Sequence, residues 1–354
     1  MITPPMPGPD VLVPLRRGVV IPASPLALTR DRKFDERRQR ALYRYYLAAG
    51  SGGVAVAVHS TQFEIRDPEH NLLKPVLELG AEELRNPKYA GGMRMIAIAG
   101  VCGKTAQAVS EAELAASLGY DAGLLSLAAL KDSTEDEMID HAKEVSAVIP
   151  IIGFYLQPAV GGRVLPYSFW RRFVEIPNVI AIKMAPFNRY QTIDVIRAVA
   201  ESGRIDIALY TGNDDNIIAD LVSPFQFGEG EPLRVVGGLL GQFCVWTKRA
   251  VELLEEIQGV VDEGGGASDD LLKRNIQLTD ANAVVFDAAN RFAGCIPGIH
   301  EVLRRQGLLE NILCLNPHET LSPGQSEQLD RITKSYPWMQ DDDFVREHLD
   351  EWLS

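Results

Sequence analysis

Short runs rich in Val and Ile recur along roughly the first 240 residues, separated by longer stretches whose apolar positions return every three or four residues. Eight runs predict strands: 17–22 (RGVVIP), 53–58 (GVAVAV), 93–100 (MRMIAIAG), 122–127 (AGLLSL), 149–155 (IPIIGFY), 178–184 (NVIAIKM), 206–210 (DIALY) and 233–238 (LRVVGG). They are apolar throughout rather than alternating, which suits strands covered on both faces, as in a parallel sheet. Helices are predicted between them. The stretch 34–49 is apolar at Leu42, Tyr45 and Tyr46, and 106–118 is rich in Ala and Leu. The stretch 134–148 opens with a capping sequence (Ser133, Thr134) and acids in its first turn. Helices at 166–176, 190–201 and 214–221 follow. Eight strands with intervening helices predict a (β/α)8 TIM barrel. A doubly wound open sheet is the alternative, because a pattern along the chain does not show closure.

Beyond residue 238 the strand signals stop. The stretch 242–259 reads as the eighth helix, 262–268 (DEGGGAS) as a turn, and 271–293, 299–306, 325–335 and 343–353 as further helices. The expected division is a barrel carrying the active site over 1–260 and a C-terminal helical extension, 261–354, packed on it.

Composition narrows the partners. The 354 residues are 46% hydrophobic and 23% charged, enough to bury a real core. A formal charge of −13 repels nucleic acid and anionic membranes. No apolar run approaches the ~18–20 residues of a membrane span, and residues 1–10 lack the basic start and apolar stretch of a signal peptide. Four cysteines lack metal-type spacing, and six histidines form no HxH or HExxH pair, so no metal is expected. A soluble, cytoplasmic protein without nucleic-acid or membrane partners is the expectation.

Several motifs have plain explanations. Gly100 to Thr105 invites a phosphate-loop reading, but only two residues separate Gly100 from Gly103 where four are needed; a strand-to-helix turn suffices. Gly237, Gly238 and Gly241 read as close packing rather than a phosphate cradle. Asp341, Asp342 and Asp343 read as the solvated start of the last helix. Two strand ends carry more. Tyr155 ends the fifth strand and Lys183 stands near the end of the sixth, after Val-Ile-Ala-Ile. In a barrel those ends are neighbours on the catalytic face. An amine at the edge of an apolar interior loses protonation and becomes a nucleophile toward carbonyls, and a nearby phenol can carry protons. The competing reading is a lysine that snorkels to solvent and a tyrosine that caps the core. His59-Ser60-Thr61-Gln62 ends the second strand, with hydroxyls able to hold a carboxylate or simply to form a turn.

Taken in order, these segments resemble the dihydrodipicolinate synthase/N-acetylneuraminate lyase family of class I aldolases. The family's Gly-Thr-Thr-Gly-Glu turn is matched by His59-Ser60-Thr61, its Tyr-Asn-x-Pro segment by Tyr155-Leu-Gln-Pro158 with Gly162 following, and its Ile-Lys strand by Ile182-Lys183. The runs from Ile96 to Ala122 and Thr211-Gly212-Asn-Asp214-Asp215 add to the likeness, which spans about Val20 to Leu254. The resemblance implies a barrel with C-terminal helices, a homo-oligomer (a tetramer built as a dimer of dimers, or a dimer), a small 2-oxo acid such as pyruvate as substrate, and no metal or organic cofactor. It implies that Lys183 forms an imine and Tyr155 relays protons. Ser60 and Thr61 would hold the substrate carboxylate, Ser60 also joining the relay, while Gly212 and Val236 would line the pocket.

The sequence also departs from the family. His59 and Gln62 replace both turn glycines, Val160 stands where dihydrodipicolinate synthases carry an arginine, and the stretch around Leu127 to Lys131, with Leu130, lacks their interface tyrosine. A Schiff-base lyase or aldolase that is not an authentic dihydrodipicolinate synthase is therefore expected. A dehydratase of the same superfamily acting on a sugar acid, or a catalytically weak paralogue binding a small carbonyl ligand, are the alternatives.

Overall fold

The computed structural model describes residues 5–89 and 94–354. Eight strands are present: β1 (Val20–Pro22), β2 (Gly53–Val56), β3 (Ile96–Val101), β4 (Ala122–Leu125), β5 (Ile151–Leu156), β6 (Val179–Ala185), β7 (Ala208–Thr211) and β8 (Val235–Leu240). All pair in parallel, in the order β1-β8-β7-β6-β5-β4-β3-β2. The ends of that row meet. Ser24 N donates to Ala55 O at 2.9 Å, Gly52 N to Val20 O at 3.1 Å, and Ala23 bridges Ala55 in parallel. The sheet is thus a nearly closed TIM barrel, and the open doubly wound alternative is excluded. Every expected strand appears; the expected start of the third, Met93, lies outside the described residues.

Helices alternate with the strands: α1 (Pro9–Arg17), α2 (Glu36–Ala48), α3 (Leu73–Glu83), α4 (Thr105–Ser117), α5 (Glu135–Ser146), α6 (Tyr167–Phe173), α7 (Arg189–Ser202), α8 (Ile217–Val222) and α9 (Thr247–Asp262). The cap expected before α5 forms, with Thr134 N donating to Glu137 Oε2 at 2.7 Å and Glu137 N to Thr134 Oγ1 at 3.3 Å. Two helices escape the sequence pattern. In α1 prolines stand at the first position and at Pro14, which obscures the period, yet Val11 and Leu15 are buried. Tyr210 Oη donates to Leu15 O at 2.8 Å and ties α1 to the barrel. In α3 the breakers are Pro75 and Gly80. A side chain at Gly80 would meet Tyr120 Oη at 2.6 Å, and that hydroxyl donates to Leu77 O at 2.9 Å.

The C-terminal extension is α10 (Asp269–Val285), α11 (Cys295–Arg305), α12 (Gln325–Ser335) and α13 (Asp342–Trp352). One apolar cluster runs from Val11 through the barrel to Trp352, so barrel and extension share a core. Asp341 corrects an expectation. It is buried rather than solvated, and its carboxylate accepts from Tyr45 Oη (2.7 Å), Lys248 N (3.0 Å) and Gln306 Nε2 (2.8 Å), joining the start of α13 to α2, α9 and α11. Packing on several barrel elements needs this charge as a buried acceptor, which a run of acids in sequence does not reveal. Among the described residues no helix is long and apolar enough to cross a membrane.

Candidate active site

β6 is buried along its whole length, so the strand carries Lys183 into the barrel with its side chain 7% exposed. The register sets Lys183 opposite Phe154 of β5, and residues paired in register show the same face. Lys183 Nζ accordingly lies 4.4 Å from the centre of the Phe154 ring. Burial lowers the ammonium's pKa from 10.5 to about 8, with Asp214 and Cys244 holding it from falling further. Asp214 follows β7. Burial raises its carboxyl to about 7 against the pull of Lys183, and its Oδ1 accepts from Gln242 N at 3.4 Å. His59, half-buried, feels burial and then the lysine's charge, which lower it to about 4, so its imidazole is neutral at pH 7.

These groups line one pocket at the C-terminal ends of the strands, with a free volume of about 80 Å³. On that measure a water occupies ~10–15 Å³, so a three-carbon acid fits. Gly212 gives the lysine its path: a Cβ there would lie 2.8 Å from both Lys183 Cε and Ala185 Cβ. Ser60 also lines the pocket, its hydroxyl donating to Ala23 O.

The other expected residues are elsewhere. Tyr155 is fully buried on the opposite face of β5, between the strand and α6: its ring lies 5.5 Å from Trp170, and its oxygen accepts from Leu165 N at 3.0 Å. The strand alternates faces, so Phe154 takes the place beside the lysine that the phenol was expected to fill. Thr61 is fully buried beneath the turn, its hydroxyl donating to Ser24 O (2.7 Å) and accepting from Val58 N (3.1 Å); both bonds hold the turn in shape. Val236 lies near the start of β8, beside Gly18 and with Arg17 and Leu221, at the opposite end of the barrel from the lysine. Gln62 is structural too. Its Oε1 accepts from Leu315 N at 2.6 Å, fastening the segment after α11 to the strand-two turn. Val160 lines the pocket, and Leu130 packs half-buried on the core.

Sequence reasoning missed part of the wall. Phe286, Phe292, Cys295 and Ile299 of the extension line the pocket, so the site does not belong to residues 1–260 alone. Asp214 was within a recognised motif but had no assigned role; its signal was the acidic pair directly after an apolar strand.

Residues 17–228, more than half of the chain, match the Dihydrodipicolinate synthetase family. The chain belongs to that family. Its members are lyases of the class I aldolase type. A 4-hydroxy-tetrahydrodipicolinate synthase of Nitratidesulfovibrio vulgaris is 26% identical over 211 residues, 59% of this chain and 64% of that enzyme, so the match spans slightly less than two thirds of the relative. Among solved structures, the dihydrodipicolinate synthase of Acinetobacter baumannii complexed with pyruvate superposes with a TM-score of 0.71 at 19% identity, covering 90% of this chain and 98% of that one. The N-acetylneuraminate lyase of Fusobacterium nucleatum gives 0.69 at 17% identity, covering 91% and 99%. Both share the fold of this dihydrodipicolinate synthetase family member.

Proposed function

We propose that the protein is a lyase or aldolase in which Lys183 forms an imine with pyruvate or another small 2-oxo acid. The observation that carries the reading is the buried Lys183 amine facing into the pocket at the strands' C-terminal ends, where burial disfavours its charged form. A neutral amine attacks the keto carbon, the carbinolamine loses water, and the resulting iminium draws electrons from the C3–C4 bond or stabilises the enamine that forms it. Ser60, at the first turn after β2 and on the pocket wall, offers a hydroxyl that reaches the substrate carboxylate by turning away from Ala23 O. The protons fall to Asp214 and His59, because the Tyr155 oxygen faces the other way. Val160 and Leu130 offer no charged clamp or phenol for aspartate semialdehyde, which argues against authentic dihydrodipicolinate synthesis.

The test is reduction with borohydride in the presence of pyruvate. The reduced acid's mass should appear on the peptide containing Lys183 and be absent from Lys183→Ala, which should remain folded. A label on another lysine, or none with any 2-oxo acid, ends the imine reading.

A further inference from the structure

The outer half of the pocket is built differently from the floor. Leu156 lies two residues beyond Phe154 on the same face of β5, toward the strand's C-terminal end. Val160 and Phe187 come from the loops after β5 and β6, and Phe286, Phe292 and Ile299 from the extension. Phe187 holds φ +52°, a conformation that costs a non-glycine residue, and Asn213 Oδ1 accepts from its N–H at 3.1 Å. That backbone sets the Phe187 ring edge-on to Phe292, with centres 5.6 Å apart. Of the polar side chains in the same region, the Gln157 oxygen and the Arg163 guanidinium bond backbone groups. Gln157 Oε1 accepts from Ala159 N in its own loop, at 3.1 Å. Arg163 donates to Leu130 O (2.8 Å) and Ser133 O (2.9 Å).

We infer that this half of the pocket takes an apolar group, so that the aldehyde joined to, or released from, the 2-oxo acid is aliphatic or aromatic rather than charged or polyhydroxylated. The inference rests on the imine reading above. Lys183 is the sole cation among the described pocket residues, and the imine occupies it. A second carboxylate on the aldehyde would face Asp214 with no counter-ion, and a row of hydroxyls would exchange water for aromatic edges. In the condensing direction Asp214 takes a proton from C3 of the iminium to give the enamine. C3 attacks the aldehyde carbon, the new alkoxide takes that proton back, and water hydrolyses the iminium. Pyruvate and the aldehyde become a 4-hydroxy-2-oxo acid, and the carboxyl ends as it began.

The test pairs saturating pyruvate with acetaldehyde, propanal, butanal, benzaldehyde, D-glyceraldehyde and succinic semialdehyde. For the unbranched apolar series kcat/KM should rise about fourfold per added methylene until the pocket fills. Benzaldehyde should be accepted, with glyceraldehyde and succinic semialdehyde at least ~100-fold below butanal, since the site leaves their polar groups unpaired. Phe292→Asn, at the half-buried rim, should lower kcat/KM for butanal about tenfold more than for acetaldehyde, compressing the series. A flat series, or preference for the charged or hydroxylated aldehyde, overturns the inference. Borohydride trapping with pyruvate alone, on the same preparation, separates the two claims. An adduct with a flat series removes only the apolar acceptor, whereas no adduct removes the imine and this inference together.

Discussion

The rate at which Lys183 is trapped should depend on pH in a way an ordinary lysine would not show. Only the neutral amine attacks a carbonyl. With a pKa of about 8, about 10% of the lysine is neutral at pH 7; at 10.5 the fraction would be about 0.03%, a ~300-fold difference. The initial rate of borohydride-trapped pyruvate, read by intact mass between pH 5 and 10, should climb about tenfold per unit and flatten above about 8. Asp214→Asn keeps the shape but removes the negative charge that props up the ammonium, so the midpoint should move to lower pH. Stability carries the same signature. The folded state holds fewer protons than the unfolded chain between about 8 and 10.5, so stability should rise with pH across that window, and the deficit is complete below it. The shift corresponds to about 3 kcal/mol at most. Lys183→Met should therefore gain about 1–3 kcal/mol at pH 7 while losing the adduct. A trapping midpoint near 10.5, or one unmoved by Asp214→Asn, would refute the account of how the pocket activates its amine.

Gly212→Ala should reduce the trapping rate by about 100-fold, because a Cβ 2.8 Å from Lys183 Cε and Ala185 Cβ forces the amine off its path. Since Ala185 is part of the strand and cannot swing aside, chemical denaturation should also show a loss of about 1–3 kcal/mol. Tyr155→Phe removes only an acceptor for Leu165 N outside the pocket. It should cost about 0.5–1.5 kcal/mol in a urea titration and leave kcat near wild type; a loss of 100-fold or more would return the phenol to the mechanism.

The barrel was legible because its strands are continuous apolar runs, but the same feature hid which residues point inward. Nothing in IIGFYL alternates, and the β5–β6 register shifts between Ile151 and Ile152. A one-residue change exchanges the two faces of a strand, which is how Tyr155 and Phe154 changed places. Lys183 was readable since a lone cation in such a run has to face a cavity or solvent. Val236 was misplaced along its strand rather than across it: β8 continues to Leu240, so Val236 stands near the wrong end. The contribution of Phe286, Phe292 and Ile299 was beyond the pattern, because they reach the pocket from more than a hundred residues after Lys183 through contacts that no local period encodes.

The pocket wall supplied by the extension sets an order of events during synthesis. The eight strands leave the ribosome before α10 and α11, and at 5–20 residues per second the roughly 50 residues from the end of α9 to Leu315 take about 3–11 s to follow. Through that interval the mouth of the nascent barrel lacks Phe286, Phe292 and Ile299, and Gln62 has no Leu315 to hold. The growing chain therefore shows its apolar rim to solvent or to chaperones first, and the pocket wall is completed only when α10 and α11 dock.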